Sequence, residues 1–130
     1  MKQLITIFLV LVLIPMAGQA TCPPNLTLTT PDSRFTDNGD GTVSDELTGL
    51  MWKQCSEGLS TTTTACDTGG SATYGWQSAL GQAWTVNGVG FAGNNDWRLP
   101  NLKELASIVE QGCHEPSINE TLFPVADRHG

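Results

Sequence analysis

The chain has 130 residues, 13 acidic against 6 basic, a formal net charge of −7, and a hydrophobic share of 39%. That length supports one domain and no more. Past the first twenty residues the basic side chains are Arg34, Lys53, Arg98, Lys103 and Arg128, too scattered to form a cationic stripe, which excludes nucleic acid as a partner.

Met1 to Ala20 opens with Lys2, runs through the apolar Leu4 to Ile14, breaks at Pro15 and ends in Gly18-Gln19-Ala20. This is the layout of a secretory signal peptide, and it predicts residues 1–20 as a cleaved leader. The apolar run is shorter than the ~20 residues that a permanent membrane helix needs, so the mature chain has no membrane segment. Thr21 before Cys22 argues against a lipid-modified cysteine, which normally follows Gly or Ala. Lys2 leaves with the leader, taking the formal charge from −7 to −8. The expected organisation is a signal peptide at 1–20, an N-terminal tether at 21–33 and one domain over 34–130, exported to the periplasm, cell surface or medium.

All four cysteines, Cys22, Cys55, Cys66 and Cys113, fall in the exported part, which favours two disulfides. Of the three pairings, the preferred one joins Cys55 to Cys66 across a short loop and Cys22 to Cys113 at the end of a helix. A zinc site is the competing reading, but the spacings contain no C-x-x-C pair and the only histidines are His114 and His129.

Cys22 to Pro31 is rich in Pro and Thr and reads as a tether. Arg34 to Trp52 is punctuated like a hairpin: the run RFTD, the turn NGDG, the run TVSD, then the apolar LMW after ELTG. Asn38-Gly39 and Asp40-Gly41 supply residues that tolerate the positive φ of tight turns. Asp37, Asn38, Asp40 and Asp45 also crowd together here and raise the question of calcium. With Gly41 at the sixth place of an EF-hand loop, Thr36 takes the first and Leu47 the twelfth, so both key ligand positions fail. Asx-Gly turn chemistry is the better reading, and no cofactor or metal is expected.

Ser56 to Ala72 is low in apolar residues and predicts a surface loop stapled by its cysteines. From Thr73, the residues Trp76, Ala79, Leu80 and Ala83 recur at helical intervals, which predicts a helix capped by Thr73 and held by burial of Trp76 and Leu80. The TVNGVGFAGNNDW stretch has too many glycines for regular structure and is expected to loop back to the sheet edge. Trp97-Arg98-Leu99-Pro100 makes an extended approach to a second helix, because the residue before proline avoids helical geometry. Asn101 and Glu104 form a capping box, Leu102, Leu105, Ile108 and Val109 make an apolar face, and Gly112 is the expected stop. Lys103, Glu104, Ser107 and Glu110 then point outward. Among the tryptophans, Trp52, Trp76 and Trp97 read as core residues from their apolar neighbours.

Four pieces together resemble a secreted bacterial family, typified by the C-terminal domain of the Legionella collagen-like protein adhesin. They are Arg34-Phe35 with DNGDGTVSDELTGLMWKQC, the YGWQSAL helix, FAGNNDWRLPNLKEL, and the segment from Pro116-Ser117-Ile118-Asn119 to Phe123-Pro124. The resemblance spans most of residues 34–124. It implies an α+β, distantly C-type-lectin-like domain with two helices beside a twisted antiparallel sheet. The family continues past its Phe-Pro motif with an aromatic-Ser-Ser segment and further strands, whereas here VADRHG follows, so the expected sheet is incomplete at its C-terminal end.

The implied function is an exported, non-enzymatic recognition or adhesion module whose partner is a glycan or a surface protein. The family's association with sulfated glycosaminoglycans fits poorly with an acidic chain. Trp84, Asn94, Asn95, Asp96 and Trp97 are the candidate ligand surface. The alternative is a structural domain whose sheet is completed by a strand from a partner chain. An enzyme related to the formylglycine-generating fold is the weakest reading: His114 sits beside an expected disulfide, His129 lies in the tail, and no nucleophile–base dyad emerges.

Overall fold

The computed structural model describes residues 21–60 and 66–124. The predicted signal peptide at 1–20, and His129 in the tail, lie outside the described residues. Three strands, β1 (Phe35–Asp37), β2 (Thr42–Asp45) and β3 (Leu50–Lys53), form an antiparallel sheet in the order β1-β2-β3. The hairpin follows the sequence expectation: Phe35 faces Asp45 and Asp37 faces Val43, with Gly39 and Gly41 both at positive φ in the turn. The LMW run adds the third strand, with Val43 opposite Trp52.

The Ser56 to Ala72 stretch, expected to be an irregular loop, contains a second, two-stranded sheet. Its strands, β4 (Leu59–Ser60) and β5 (Thr68–Gly69), pair antiparallel, with Leu59 opposite Gly69. Its local disulfide, Cys55–Cys66, spans 11 positions.

Helix α1 (Trp76–Val89) departs from the sequence reading in three ways. Its N-cap is Gly75, not Thr73. It continues through Thr85 to Val89, a stretch read as loop for its glycines, and stops only at Gly90, which is left-handed at φ 64°. Trp76 and Leu80, the expected buried anchors, are 73% and 46% exposed, and Val86 is the buried residue of the helix. Successive residues on a helix rotate by ~100°, so Ala79, Ala83 and Val86 lie about a quarter-turn from the Trp76–Leu80–Trp84 stripe. The small residues face inward and the indoles face out.

Helix α2 (Leu102–Ser107) begins with the predicted capping box: the Asn101 side chain accepts from Glu104 N at 3.0 Å, and Glu104 Oε2 accepts from Asn101 N at 2.8 Å. It is shorter than expected, ending at Ile108 rather than Gly112. Leu102, read as part of the apolar face, is 84% exposed, whereas Ile108 is buried. The core consists of Phe35, Val43, Ile108, Leu122 and Phe123, with Trp52 and Ile118 packed against it. Phe35 and Phe123 meet edge-on at 5.6 Å.

The segment read as a tether is fastened to the body of the domain. Cys22 is bonded to Cys113 over a separation of 91 positions, and Thr21 and His114 exchange backbone hydrogen bonds of 3.0 and 3.1 Å. Glu110, expected to face outward, is instead 2% exposed. Its Oε2 accepts from Thr30 N and Oγ1 at 2.7 and 2.8 Å, and its Oε1 from Thr29 N at 3.0 Å and Gly112 N at 2.7 Å. A carboxylate this buried is tolerable only with such a set of donors.

Candidate functional site

A groove of about 760 Å³ opens between β3, the inner face of α1 and the start of α2. Leu50 to Lys53 form its floor, Ala79, Ala83 and Val86 one wall, and Trp97 to Pro100 with Leu105 the other. The tripeptide Arg98-Leu99-Pro100 lies outside any regular element and leads from the groove-lining Trp97 into the extended Asn101 cap, in keeping with the bias of a residue before proline against helical geometry.

Four of the charged groups around the groove form two ion pairs, Lys53 with Glu57 and Arg98 with Glu104. Lys53 Nζ bonds Glu57 Oε2 at 2.5 Å and lies 4.7 Å from the centre of the Phe91 ring, and Gln82 Nε2 donates to Glu57 Oε1 at 2.9 Å. Arg98 grips both oxygens of Glu104 at 2.7 Å. The Arg98 guanidinium and the Asn101 backbone together hold the Glu104 carboxyl down at about 2. Trp52 supplies the exception: its shielded indole N–H meets no acceptor among the described residues.

The five candidate ligand residues do not form one patch. Asn94, Asp96 and Trp97 line the groove; Trp84 and Asn95 do not. The polar atoms of Trp97 are spent internally, its backbone N–H on Asn87 Oδ1 at 2.7 Å and its indole N–H on Phe91 O at 3.0 Å, with its ring edge-on to Phe91 at 5.6 Å. Asn94 Nδ2 donates to Ala92 O at 2.9 Å. Trp84 is 81% exposed on the outer face of α1.

The acidic hairpin is occupied by protein donors. Asp37 Oδ1 accepts from Gly39 N at 2.9 Å, and Asp40 Oδ1 from Thr42 N and Oγ1 at 3.0 and 2.6 Å. Asp45 receives Arg34 Nε at 2.8 Å, Leu47 N at 3.0 Å and Thr48 Oγ1 at 2.7 Å. Burial pushes its carboxyl up, but the hydrogen bonds from Arg34, Thr48 and Leu47 outweigh it and hold the group at about 2. Among the described residues no group of three His, Cys, Asp or Glu side chains is placed to hold a metal ion.

Fold and groove together define a small α+β domain, stapled by two disulfides and open along one helix. Residues 41–129 match the Lcl C-terminal domain, and the chain belongs to that family. No curated protein and no solved structure matches it. The two disulfides fit an oxidising compartment, and among the described residues no helix is long and apolar enough to cross a membrane. Two features escaped sequence reasoning: the outward stripe of α1, whose large residues looked like core, and the third strand that floors the groove.

Proposed function

We propose that this protein is an exported, non-enzymatic recognition module that binds a glycan or another surface component through α1 and the adjoining groove. One observation carries the reading. The exposed aromatic rings among the described residues, Tyr74, Trp76 and Trp84, all lie on or just before α1 with the exposed Leu80, Met51 and Leu105 are exposed in the groove, and the two ion pairs beside the groove are internal. Exposed apolar surface gathered on one side marks an interaction site. The acidic chain disfavours polyanions, so recognition rests on ring faces and amides rather than on charge. A glycan array with oxidised protein tests this: binding that survives high salt is expected, and silence across neutral and acidic sugars counts against it.

A second reading has its own support. β3 is an edge strand and also floors the groove, so its outer backbone groups are a template for a strand from a partner chain. A protein that elutes as a well-behaved monomer and gains nothing from candidate partner peptides argues against it.

A further inference from the structure

Helix α1 displays Trp76, Leu80 and Trp84 at intervals of four residues, which places them in one row, with the two indoles about 12 Å apart along the axis. Their exposures, 73%, 46% and 81%, are those of groups that the fold leaves to solvent. Two glycines flank Trp84 on the helix surface: Gly81 three residues before it and Gly88 four after. A Cβ at either would meet nothing within 4 Å, so packing does not call for glycine at these sites. Each is a poorer helix former than alanine. Their physical effect is to strip Trp84 of its i−3 and i+4 side-chain neighbours, leaving the indole uncovered for an incoming group.

The electrical setting is equally specific. No charged residue occurs between Asp67 and Asp96, a stretch that contains all of α1, in a chain with a formal charge of −7. The helix is therefore a neutral strip on an acidic protein. A membrane rich in anionic lipid, a cationic peptide and a sulfated polymer all need charges that α1 lacks. An uncharged pyranose chain needs none: its C–H faces pack on indole rings and its hydroxyls bond amides such as the exposed Gln77.

Resting on the recognition reading above and narrowing it, we infer that α1 binds uncharged polysaccharide, with Trp76 and Trp84 as stacking platforms and Gly81 and Gly88 keeping the second platform open. The groove is then a neighbour of the site rather than the site.

Affinity gel electrophoresis of the oxidised full-length protein tests the inference. The probes are hydroxyethylcellulose, xylan and galactomannan, with polygalacturonate and heparin as anionic probes. The variants are Trp84→Ala, Trp76→Ala and the exposed control Lys103→Ala, and circular dichroism checks that each is folded. Retardation by a neutral polymer that is unchanged by salt, weakened about tenfold in Trp84→Ala and Trp76→Ala and kept in Lys103→Ala, supports the inference. Equal retardation of all three variants overturns the α1 site but leaves glycan recognition standing. Salt-sensitive binding to the anionic polymers alone overturns the neutral class. No retardation by any polymer removes both, and a self-association or protein complex lost in Trp84→Ala assigns the stripe to a protein partner and overturns the inference.

Discussion

Glu110 and Thr30 meet across 80 positions of sequence, the carboxylate Oε2 taking both the backbone N–H of Thr30 at 2.7 Å and its hydroxyl at 2.8 Å. Together with Cys22–Cys113, this contact fastens the first described residues of the chain to the segment after α2. Burial pushes the Glu110 carboxyl up, but donors from Thr29, Gly112 and Thr30 more than compensate and hold it at about 2, against an ordinary 4.5.

A carboxyl lowered in this way stabilises the fold fully above its unfolded pKa, and that contribution disappears as pH falls through the folded value. Unfolding free energy is expected to be flat above pH 4.5 and to fall between there and about pH 2, with Asp45 contributing in the same window. Glu110→Gln replaces an acceptor oxygen with an NH₂ facing donors and is expected to cost about 2–3 kcal/mol at pH 7, with a shallower acid limb. Urea titrations of both proteins across pH 2 to 7 read this directly.

Arg34 and Asp45 form the second lock. The guanidinium grips the Asp45 carboxylate and also donates to Ser107 O at 2.9 Å, tying the hairpin to the end of α2. Arg34→Ala strands a buried carboxylate and is expected to cost about 3–5 kcal/mol, whereas the double change Arg34→Met with Asp45→Leu costs less than either single change. Arg34→Lys does not rescue, because one ammonium cannot reproduce a two-point grip. Denaturant midpoints for the wild type, the four single variants (Arg34→Ala, Arg34→Lys, Arg34→Met and Asp45→Leu) and the double variant separate these cases.

The two disulfides differ in reach. On the loop-entropy argument, removal of Cys22–Cys113, which spans 91 positions, costs about 4–5 kcal/mol, and removal of Cys55–Cys66, which spans 11, about 3 kcal/mol. Paired Cys→Ser variants are expected to lose melting temperature in that order.

Gly81→Ala is expected to stabilise the domain by about 1 kcal/mol, since alanine is the better helix former and its methyl meets open space. That methyl does not reach Trp84, so the variant is expected to be more stable and to bind as before, whereas Gly81→Gln, whose longer side chain can lie over the indole, is expected to bind more weakly. Calorimetry and gel retardation on one preparation check both halves.

Features set by neighbours in sequence were legible before the structure. The Asn-Gly and Asp-Gly turns dictate the hairpin, the Asn101–Glu104 pair dictates the start of α2, and the cysteine spacing favours the two bridges that form. What escaped depends on partners distant in sequence. Glu110 looks like any surface glutamate until Thr29 and Thr30 arrive from the other end of the chain. The orientation of α1 escaped for a different reason: its apolar arc is wider than the surface it covers, so periodicity found the helix but not the side that turns inward. Ala79, Ala83 and Val86 took that side, and the indoles, the strongest hydrophobic signal, were left outside. The glycines of α1 misled in the same way, marking an open surface where they had suggested a loop.

Shielding of Trp76 and Trp84 by bound polymer is the decisive observable for recognition at α1. Acrylamide quenching of tryptophan emission is measured with and without the neutral polysaccharide that retards the protein, in the wild type and in Trp76→Phe/Trp84→Phe. The polymer is expected to lower the quenchable fraction in the wild type and to leave the double variant unchanged, because Trp52 and Trp97 lie away from the ligand. Equal protection in both proteins would contradict this and move the binding site off α1.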